Sequence, residues 1–355
     1  MTLEVNKNIN RTLALGLACV FFSCTSLPNQ NELTGETQGT TYSVKYLGPN
    51  SILKSEIDSV LEVMDQDMST WRTDSKISQI NAFNRTDSVY AFYDESKIWS
   101  VLWDLTWEIH RDTEGAFDPT VKPLVDLWGF GLKNATHVDS ADVDSIMQFV
   151  GFRTDVIDLD EMENDSAYLK THIWKAHPST QLDFNAIAQG YTVDMVLDYL
   201  IENGVKDAMV EIGGEVRSVG VNRDGQPWRI AIDKPVEGST AANRELQAIV
   251  SLKDQALCTS GNYRKSMVID GVKRSHTIDP RTGYPVDHGL LSATIRAKSA
   301  AVADAYATAC MVVGPEEAKY LVVHEGVDAL LITSGSEGYE IWVSPGFETD
   351  ITMLD

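Results

Sequence analysis

The sequence predicts an α+β fold with largely antiparallel or mixed sheets and flanking helices. Two observations predict this class: strand-like segments cluster after residue 205, and successive segments lack regular helical crossovers. A doubly wound sheet would instead need strands and helices to alternate. The 355 residues are 43% hydrophobic and 23% charged, an ordinary globular composition, and suffice for one large domain or two intimate ones.

The predicted elements follow in chain order. Residues 41–47 alternate as in a strand, and residues 52–68 carry apolar side chains at the three- and four-residue spacing of an amphipathic helix. Asp94 is the candidate N-cap of the next helix. Further helices are expected at about 95–111, 140–150, 187–203, 300–314 and 315–325. Further strands are expected at 155–160, 208–213, 228–232, 247–252, 266–270, 291–297, 328–333 and 339–343.

The N-terminus has the pattern of an export signal. Lys7 and Arg11 form a positively charged segment, and residues 12–22 form an apolar segment that is too short to span a bilayer. Cys24 follows a small residue at the end of that segment, as at the lipid-attachment site of bacterial lipoproteins. Cys19 is a second candidate, and a plain secreted protein cleaved nearby is the alternative.

We therefore predict a lipoprotein signal peptide over residues 1–23, a polar tether over residues 24–34 and one folded domain over residues 35–355. Lipid on Cys24 would anchor the exported protein to a bacterial membrane, facing the periplasm.

The net charge is −23, which argues against nucleic acid or an anionic membrane surface as the main partner. A polyanionic ligand would therefore need a local cation or backbone N–H groups. Two cysteines lie beyond the leader, Cys258 and Cys310. In an oxidising compartment they either pair or remain buried thiols, and the sequence leaves both alternatives open.

The Ala-rich segment 300–314 contains two polar residues, Asp304 and Thr308. Residues four apart lie on the same face of a helix. Burying each without a partner costs about 1–3 kcal/mol. A hard cation such as Mg²⁺ takes oxygen ligands and would satisfy both. In the alternative, Asp304 bonds to a neighbouring loop and Thr308 bonds to its own helix.

Three loops concentrate polar residues. Residues 115–120 form a turn that Asp118 either caps or uses to bind a ligand. Residues 183–191 lead into a helix N-terminus, where backbone N–H groups can hold an anion. In residues 276–283, a His and an Asp three apart precede a Pro-Arg-Thr-Gly turn, an arrangement that suggests acid–base chemistry.

Taken together, these segments resemble the ApbE family, the FAD:protein FMN transferases once called thiamine-biosynthesis lipoproteins. The order of the motifs carries the resemblance, since each alone is weak. It extends from about residue 35 to the C-terminus. The matching segments are 39–42, 68–72, 74–75, 80–81, 115–120, 182–183, 186–191, 194, 213–215, 259–261, 276–283, 303–305 and 308.

The resemblance implies an ApbE-like fold with the active site in a cleft between two lobes. It also implies a Mg²⁺-dependent reaction in which FMN passes from FAD to a Thr or Ser hydroxyl of an acceptor protein and AMP leaves. Typical acceptors are membrane redox-complex subunits with an Asp-x-x-(Thr/Ser)-Gly-Ala-Thr-like sequence, which this chain lacks. The alternatives are an FAD pyrophosphatase, with water as acceptor, and a non-catalytic flavin-binding lipoprotein.

The resemblance also assigns site residues. His276 is the candidate general base, and Asp279 orients it or serves instead. Trp71 is expected to stack on a flavin or adenine ring, the alternative being a Trp that fills the core. The Mg²⁺ ligands implied are the side chains of Asp304 and Thr308 and the carbonyl of Ala186. The FAD contacts implied are Gln38, Trp71, Ala116, Phe117, Asp118, Asp183, Gln189 and the backbone around Ile278.

Three positions depart from the family pattern. Gln38 stands where the family usually has Met, Trp71 where it has Tyr, and Gln189 where it has Lys. The last departure removes a point charge from the pyrophosphate site, although Gln still donates hydrogen bonds. Because no cluster of Lys and Arg accompanies these loops, we expect a strong dependence on the metal.

Overall fold

The computed structural model describes residues 29–49, 51–131, 135–162, 170–236, 238, 243–263, 266–336 and 338–354. The predicted signal peptide and Cys24 lie outside these residues. Within them, no helix has both the length and the apolar character needed to cross a bilayer.

Eight helices are described. They are α1 (Lys54–Met68), α2 (Lys76–Ala82), α3 (Ile98–Asp112), α4 (Lys122–Leu127), α5 (Ser140–Met147), α6 (Asn185–Glu202), α7 (Ala300–Val313) and α8 (Pro315–His324), and a 3-10 turn at Pro119–Val121 precedes α4.

Eighteen strands are described. They are β1 (Gln30–Thr37), β2 (Thr40–Leu47), β3 (Tyr90–Tyr93), β4 (Ile157–Met162), β5 (Lys170–Lys175), β6 (Ala208–Ile212), β7 (Glu215–Val219), β8 (Trp228–Asp233), β9 (Leu246–Leu252), β10 (Ala256–Gly261), β11 (Ser266–Ile269), β12 (Val272–Ser275), β13 (Ile278–Asp279), β14 (Tyr284–Pro285), β15 (Leu290–Ala297), β16 (Asp328–Gly335), β17 (Gly338–Val343) and β18 (Ile351–Met353).

The central sheet has eight strands in the order β1-β2-β6-β7-β10-β15-β16-β17. Its neighbouring strands pair antiparallel, which confirms the predicted α+β class with largely antiparallel sheets. Smaller sheets are formed by β18-β9-β8 and β3-β5-β4, and by the hairpins β11-β12 and β13-β14.

Both faces of the central sheet are covered, and the period-two alternation of β16 shows how. Ala329 and Leu331 point into the large core that contains α6 and α7. Leu330 and Ile332 point the other way, into a second core shared with β8 and β9. Because successive strand residues face opposite sides, a continuous apolar run is needed to bury both faces. The sheet is therefore the middle layer, and α7 lies against it.

Several predicted boundaries differ from the structure. β1 includes residues 30–34, so the last residues of the predicted tether belong to the sheet. β1 is an edge strand that pairs only with β2, and its sequence is polar. It therefore lacks the apolar pattern by which a strand is predicted from sequence. Asp94 is not the N-cap of α3, because Lys97 occupies that position with a φ of 59°. The Asp94 carboxylate instead accepts hydrogen bonds from the N–H and hydroxyl of Ser100.

Cys258 and Cys310 do not pair with each other. Both are free, buried thiols, which is the second of the two alternatives left open by the sequence. The Cys258 thiol donates to the carbonyl of Ala300 over 3.4 Å. Burial raises the pKa of Cys310 to about 12, so this thiol is inert as a nucleophile.

Candidate functional site

A cavity of about 590 Å³ lies where α1, the 116–125 segment, α6, β10, β13 and α7 meet. Twelve of the thirteen predicted site residues line it, and Asp279 is the exception. The twelve are Gln38, Trp71, Ala116, Phe117, Asp118, Asp183, Ala186, Gln189, His276, Ile278, Asp304 and Thr308.

The close approach of α6 and α7 positions the carboxylate of Asp304. A Cβ added to Gly190 would lie 2.3 Å from the carbonyl oxygen of Ala300 and 2.8 Å from the Cβ of Asp304, so no other residue fits there without moving a helix. The Gly190 N–H donates to Oδ2 of Asp304 over 3.0 Å. Asp304 is thereby held against α6 at Gly190, one turn after Ala186.

Asp304 is a buried carboxylate with one uncommitted oxygen. Asp304 is only 5% exposed. Its Oδ2 accepts the Gly190 N–H, and its Oδ1 makes no hydrogen bond within the described residues. Burial raises its pKa to about 7, and the nearby charge of Asp194 adds to this effect. Thr308 lies one turn later, with its hydroxyl 3.2 Å from that of Ser260. Thr308 thus bonds to β10 instead of to its own helix.

These residues fit a hard divalent cation. Asp304 and Thr308 offer a carboxylate and a hydroxyl at the cavity surface, and Ala186 lines the same cavity. All three groups are oxygen donors, the type that Mg²⁺ prefers. A cation at the free Oδ1 would also favour the ionised carboxylate, which burial disfavours. No cluster of three His, Cys, Asp or Glu side chains suited to a metal occurs in the described ranges.

The N-terminus of α7 is fixed by a second buried carboxylate. Asp194 of α6 accepts hydrogen bonds from the N–H groups of Ala300 and Ala301, over 2.8 and 2.9 Å. Its Oδ1 also lies 3.0 Å from Nη1 of Arg217 on β7. Asp194 therefore caps α7 from α6 and sets the register in which the α7 residues enter the cavity.

The two glutamines are held by hydrogen bonds at the cavity wall. Gln38 lies at the tip of the β1–β2 hairpin, where Gln38 and Gly39 both have positive φ, as a type I′ turn requires. Its Nε2 donates to the hydroxyl of Thr192 over 2.8 Å. Nε2 of Gln189 donates to the carbonyl of Ile212 over 3.0 Å. The left-handed backbone of Gln38 costs about 1–2 kcal/mol, a strain typical of functional sites.

The 115–121 segment places Phe117 and Asp118 in the wall. Oδ1 of Asp118 accepts from the Thr120 N–H over 2.7 Å, and Oδ2 accepts from the Phe152 N–H over 2.9 Å. Burial raises the pKa of Asp118. Both oxygens of this carboxylate therefore hold the segment together, as the capping alternative predicts.

Asp183 joins this segment to α6. Its N–H donates to the carbonyl of Pro119 over 2.7 Å, and its Oδ1 accepts from the N–H of Asn185 over 2.8 Å. The helix that carries Ala186 and Gln189 is thereby tied to the opposite wall of the cavity.

Trp71 is 70% exposed and lines the cavity in the turn after α1. This exposure excludes the alternative of a Trp that fills the core. An exposed indole beside a cavity is available to stack on a planar ring, and such stacking remains a prediction.

The His276 turn is arranged differently from the prediction. The His276 ring lines the cavity and packs edge-on against Phe130, with ring centroids 6.4 Å apart. Asp279 does not orient it. Both carboxylate oxygens of Asp279 bind the guanidinium of Arg281 at 3.0 Å, and Oδ1 also accepts the Arg281 N–H. A short local pairing within the turn thus outcompetes a contact with His276.

The sequence interpretation missed Lys122, which also lines the cavity. In sequence it forms an i,i+4 pair with Asp126, the pattern of an ordinary solvated helix face. The proximity of this residue to the Asp118 motif was the available signal.

Comparison with known proteins gives concordant results. A family model described as the ApbE family matches residues 38–331. The FAD:protein FMN transferase of Vibrio cholerae is 36% identical over 344 residues, which cover 96% of this chain and 98% of the relative. The protein of the same name from Haemophilus influenzae is 32% identical over 350 residues, which cover 97% and 98%.

Solved structures agree. The flavin transferase ApbE from Vibrio cholerae superposes with a TM-score of 0.76 at 34% identity, over 91% of this chain and 99% of that one. The flavinyl transferase ApbE of Pseudomonas stutzeri, in its apo form, gives a TM-score of 0.76 at 32% identity, over 91% and 96%.

Proposed function

The chain belongs to the ApbE family, and from this premise we propose that it is an FAD:protein FMN transferase. It transfers FMN from FAD to a Thr or Ser hydroxyl of an acceptor flavoprotein subunit and releases AMP, with Mg²⁺ bound in the site. The observation that carries the proposal is the convergence of twelve predicted site residues from distant parts of the chain on one cavity.

In the proposed reaction, the acceptor hydroxyl oxygen attacks the phosphorus on the FMN side of the diphosphate. A new phosphoester bond forms, the bond from that phosphorus to the bridging oxygen breaks, and AMP leaves with that oxygen. Such phosphoryl transfer depends mainly on positioning and on neutralisation of charge. Mg²⁺ bound to Asp304, Thr308 and the Ala186 carbonyl would neutralise phosphate charge.

His276 receives the proton of the attacking hydroxyl in this proposal. It lines the cavity, and histidine is the side chain most often used for proton transfer near neutral pH. Because Asp279 is bound to Arg281, the base role falls to His276 and Asp279 only shapes the turn. His276→Ala is expected to lower transfer by about 10²–10⁴-fold while FAD binding is retained. A loss of FAD binding in this variant would contradict the assignment.

FMN transfer and FAD hydrolysis could both take place in this cavity, and they differ only in the acceptor. With water in place of a protein hydroxyl, the site would release free FMN and AMP. A flavin-storage protein would release neither, and the uncommitted oxygen of Asp304 disfavours storage, since storage needs no catalytic metal.

Incubation with FAD, Mg²⁺ and a peptide containing the Asp-x-x-Thr-Gly-Ala-Thr sequence separates these functions. Flavin fluorescence on the denatured peptide together with AMP supports transfer, AMP with free FMN indicates hydrolysis, and no turnover indicates storage. Lack of peptide labelling under conditions that yield AMP would overturn the proposal.

We also propose that the protein acts outside the cytoplasm, anchored by lipid on Cys24. The leader pattern supports this location. An acceptor subunit embedded in the same membrane would then meet the enzyme in two dimensions, and the tether before β1 would allow the folded domain to reach it.

A further inference from the structure

Among the described residues that line the cavity, Lys122 is the lone Lys or Arg. Its side chain is only 15% exposed, and its Nζ lies 2.9 and 2.7 Å from the two carboxylate oxygens of Asp126. In an ordinary i,i+4 ion pair on a helix surface, both charged side chains would be exposed to solvent. The Lys122 side chain is instead mostly buried, and the residue lines the wall of the site.

The position of Lys122 is fixed from two directions. It begins α4 directly after the 3-10 turn, whose Pro119 carbonyl accepts the Asp183 N–H. Lys122 also interacts electrostatically with Asp183. Burial raises the pKa of Asp183, and the positive charge of Lys122 acts to lower it. The partner of Lys122, Asp126, is itself held in place. A Cβ on Gly131 would lie 2.0 Å from Oδ1 of Asp126, so the 129–131 turn packs closely against this carboxylate.

The cavity is strongly acidic apart from Lys122. Five carboxyl groups line it, and the FAD diphosphate would add two negative charges in a partly desolvated space. Gln189 contributes no charge, and its Nε2 is committed to the Ile212 carbonyl. The five carboxyl groups are those of Asp65, Asp118, Asp183, Glu215 and Asp304.

We propose that Lys122 is an FAD-binding residue of this chain, with its ammonium group bound to the diphosphate of FAD. It supplies the fixed positive charge that Gln189 does not, and Asp126 holds it in place when the site is empty. A lysine in the cavity wall suits this role, since its flexible four-carbon side chain can bring the ammonium to a phosphate, which it binds as a point charge. This inference rests on the proposed function, because it takes FAD as the substrate.

The test compares FAD with riboflavin, which has the same ring system and no phosphate. Affinities of the full-length protein are measured by flavin fluorescence in EDTA. Lys122→Met is expected to weaken FAD binding about tenfold and to leave riboflavin binding unchanged, because a charged hydrogen bond is lost. Lys122→Arg is expected to keep most of the FAD affinity. The matched control is Lys319→Met, which removes an ammonium paired with Glu316 on the surface of α8 and should change neither affinity.

An equal loss for FAD and riboflavin would show a structural role and overturn the inference, as would an unchanged FAD affinity in Lys122→Met. The proposed function is tested separately, by peptide labelling. A wild-type protein that binds FAD with this Lys122 dependence but labels no peptide would refute the transferase and support the Lys122 assignment. A wild-type protein that binds no FAD, either in EDTA or with Mg²⁺ added, would overturn both.

Discussion

Replacing Asp304 by Asn is expected to stabilise the metal-free protein and to abolish its response to Mg²⁺. Asn keeps the shape of the side chain and an oxygen that can accept the Gly190 N–H, but it carries no charge. The wild-type carboxylate is buried beside Asp194, and its pKa is raised from the ordinary 3.8 to about 7. The proposed Mg²⁺ binding therefore requires a charge on Asp304 that burial without the metal disfavours.

The size of the effect follows from this pKa. As the pH rises from 3.8 to about 7, the unfolded chain loses the Asp304 proton and the folded chain keeps it. The free energy of unfolding therefore falls across this interval and stays at the lower level above it. About three pH units at about 1.4 kcal/mol each give a loss of roughly 4 kcal/mol. At about pH 8 without metal, Asp304→Asn should be more stable than wild type by up to this amount.

Urea unfolding measures this difference, with and without Mg²⁺, at about pH 5 and about pH 8. Wild type should gain about 2.7 kcal/mol at a Mg²⁺ concentration of a hundred times its Kd, and Asp304→Asn should gain none. The control is Asp198→Asn on the exposed side of α6, which should change stability by less than about 0.5 kcal/mol. A variant that is less stable than wild type at the higher pH, or that is stabilised equally by Mg²⁺, would refute the reasoning.

Three further predictions concern other parts of the molecule. Gln189→Lys should strengthen metal-free FAD binding about tenfold, as measured by fluorescence titration in EDTA, and no gain would contradict the view that this site lacks charge. Gly190→Ala should lower the free energy of unfolding by about 2 kcal/mol or more, because its Cβ would meet the Ala300 carbonyl at 2.3 Å; an unchanged urea midpoint would be inconsistent with this packing. Cys24→Ala should release the protein from the membrane fraction on cell fractionation, and persistent membrane association would argue against a lipid anchor.

The fold class was predictable because its signals are local. The segment that became β2 alternates apolar and polar residues, the period-two pattern of a strand with one buried face, and β6 shows the same alternation in its burial. β1 was not predictable in this way, since an edge strand with a polar face has no such pattern. The Asp94 position shows a second limit: a plausible capping residue is displaced when the backbone takes a left-handed turn at Lys97.

The site was predictable to the extent that its residues follow helix geometry or family motifs. Asp304 and Thr308 lie on one face of α7 because they are four residues apart. The environment of Asp279 was not predictable, because the His276-to-Gly283 segment allows both a bond to His276 and a bond to Arg281. Lys122 was missed for a related reason, since its sequence pattern does not say on which side of α4 the cavity lies.

The central claim is that FMN reaches a protein hydroxyl with the release of AMP. The most direct measurement is the molar ratio of AMP to peptide-bound flavin, with wild-type protein, FAD, Mg²⁺ and the acceptor peptide. We predict one AMP for each flavinylated Thr, and no labelling of a matched peptide in which that Thr is replaced by Val. AMP formed at the same rate with the Val peptide, with free FMN as the other product, would contradict the account.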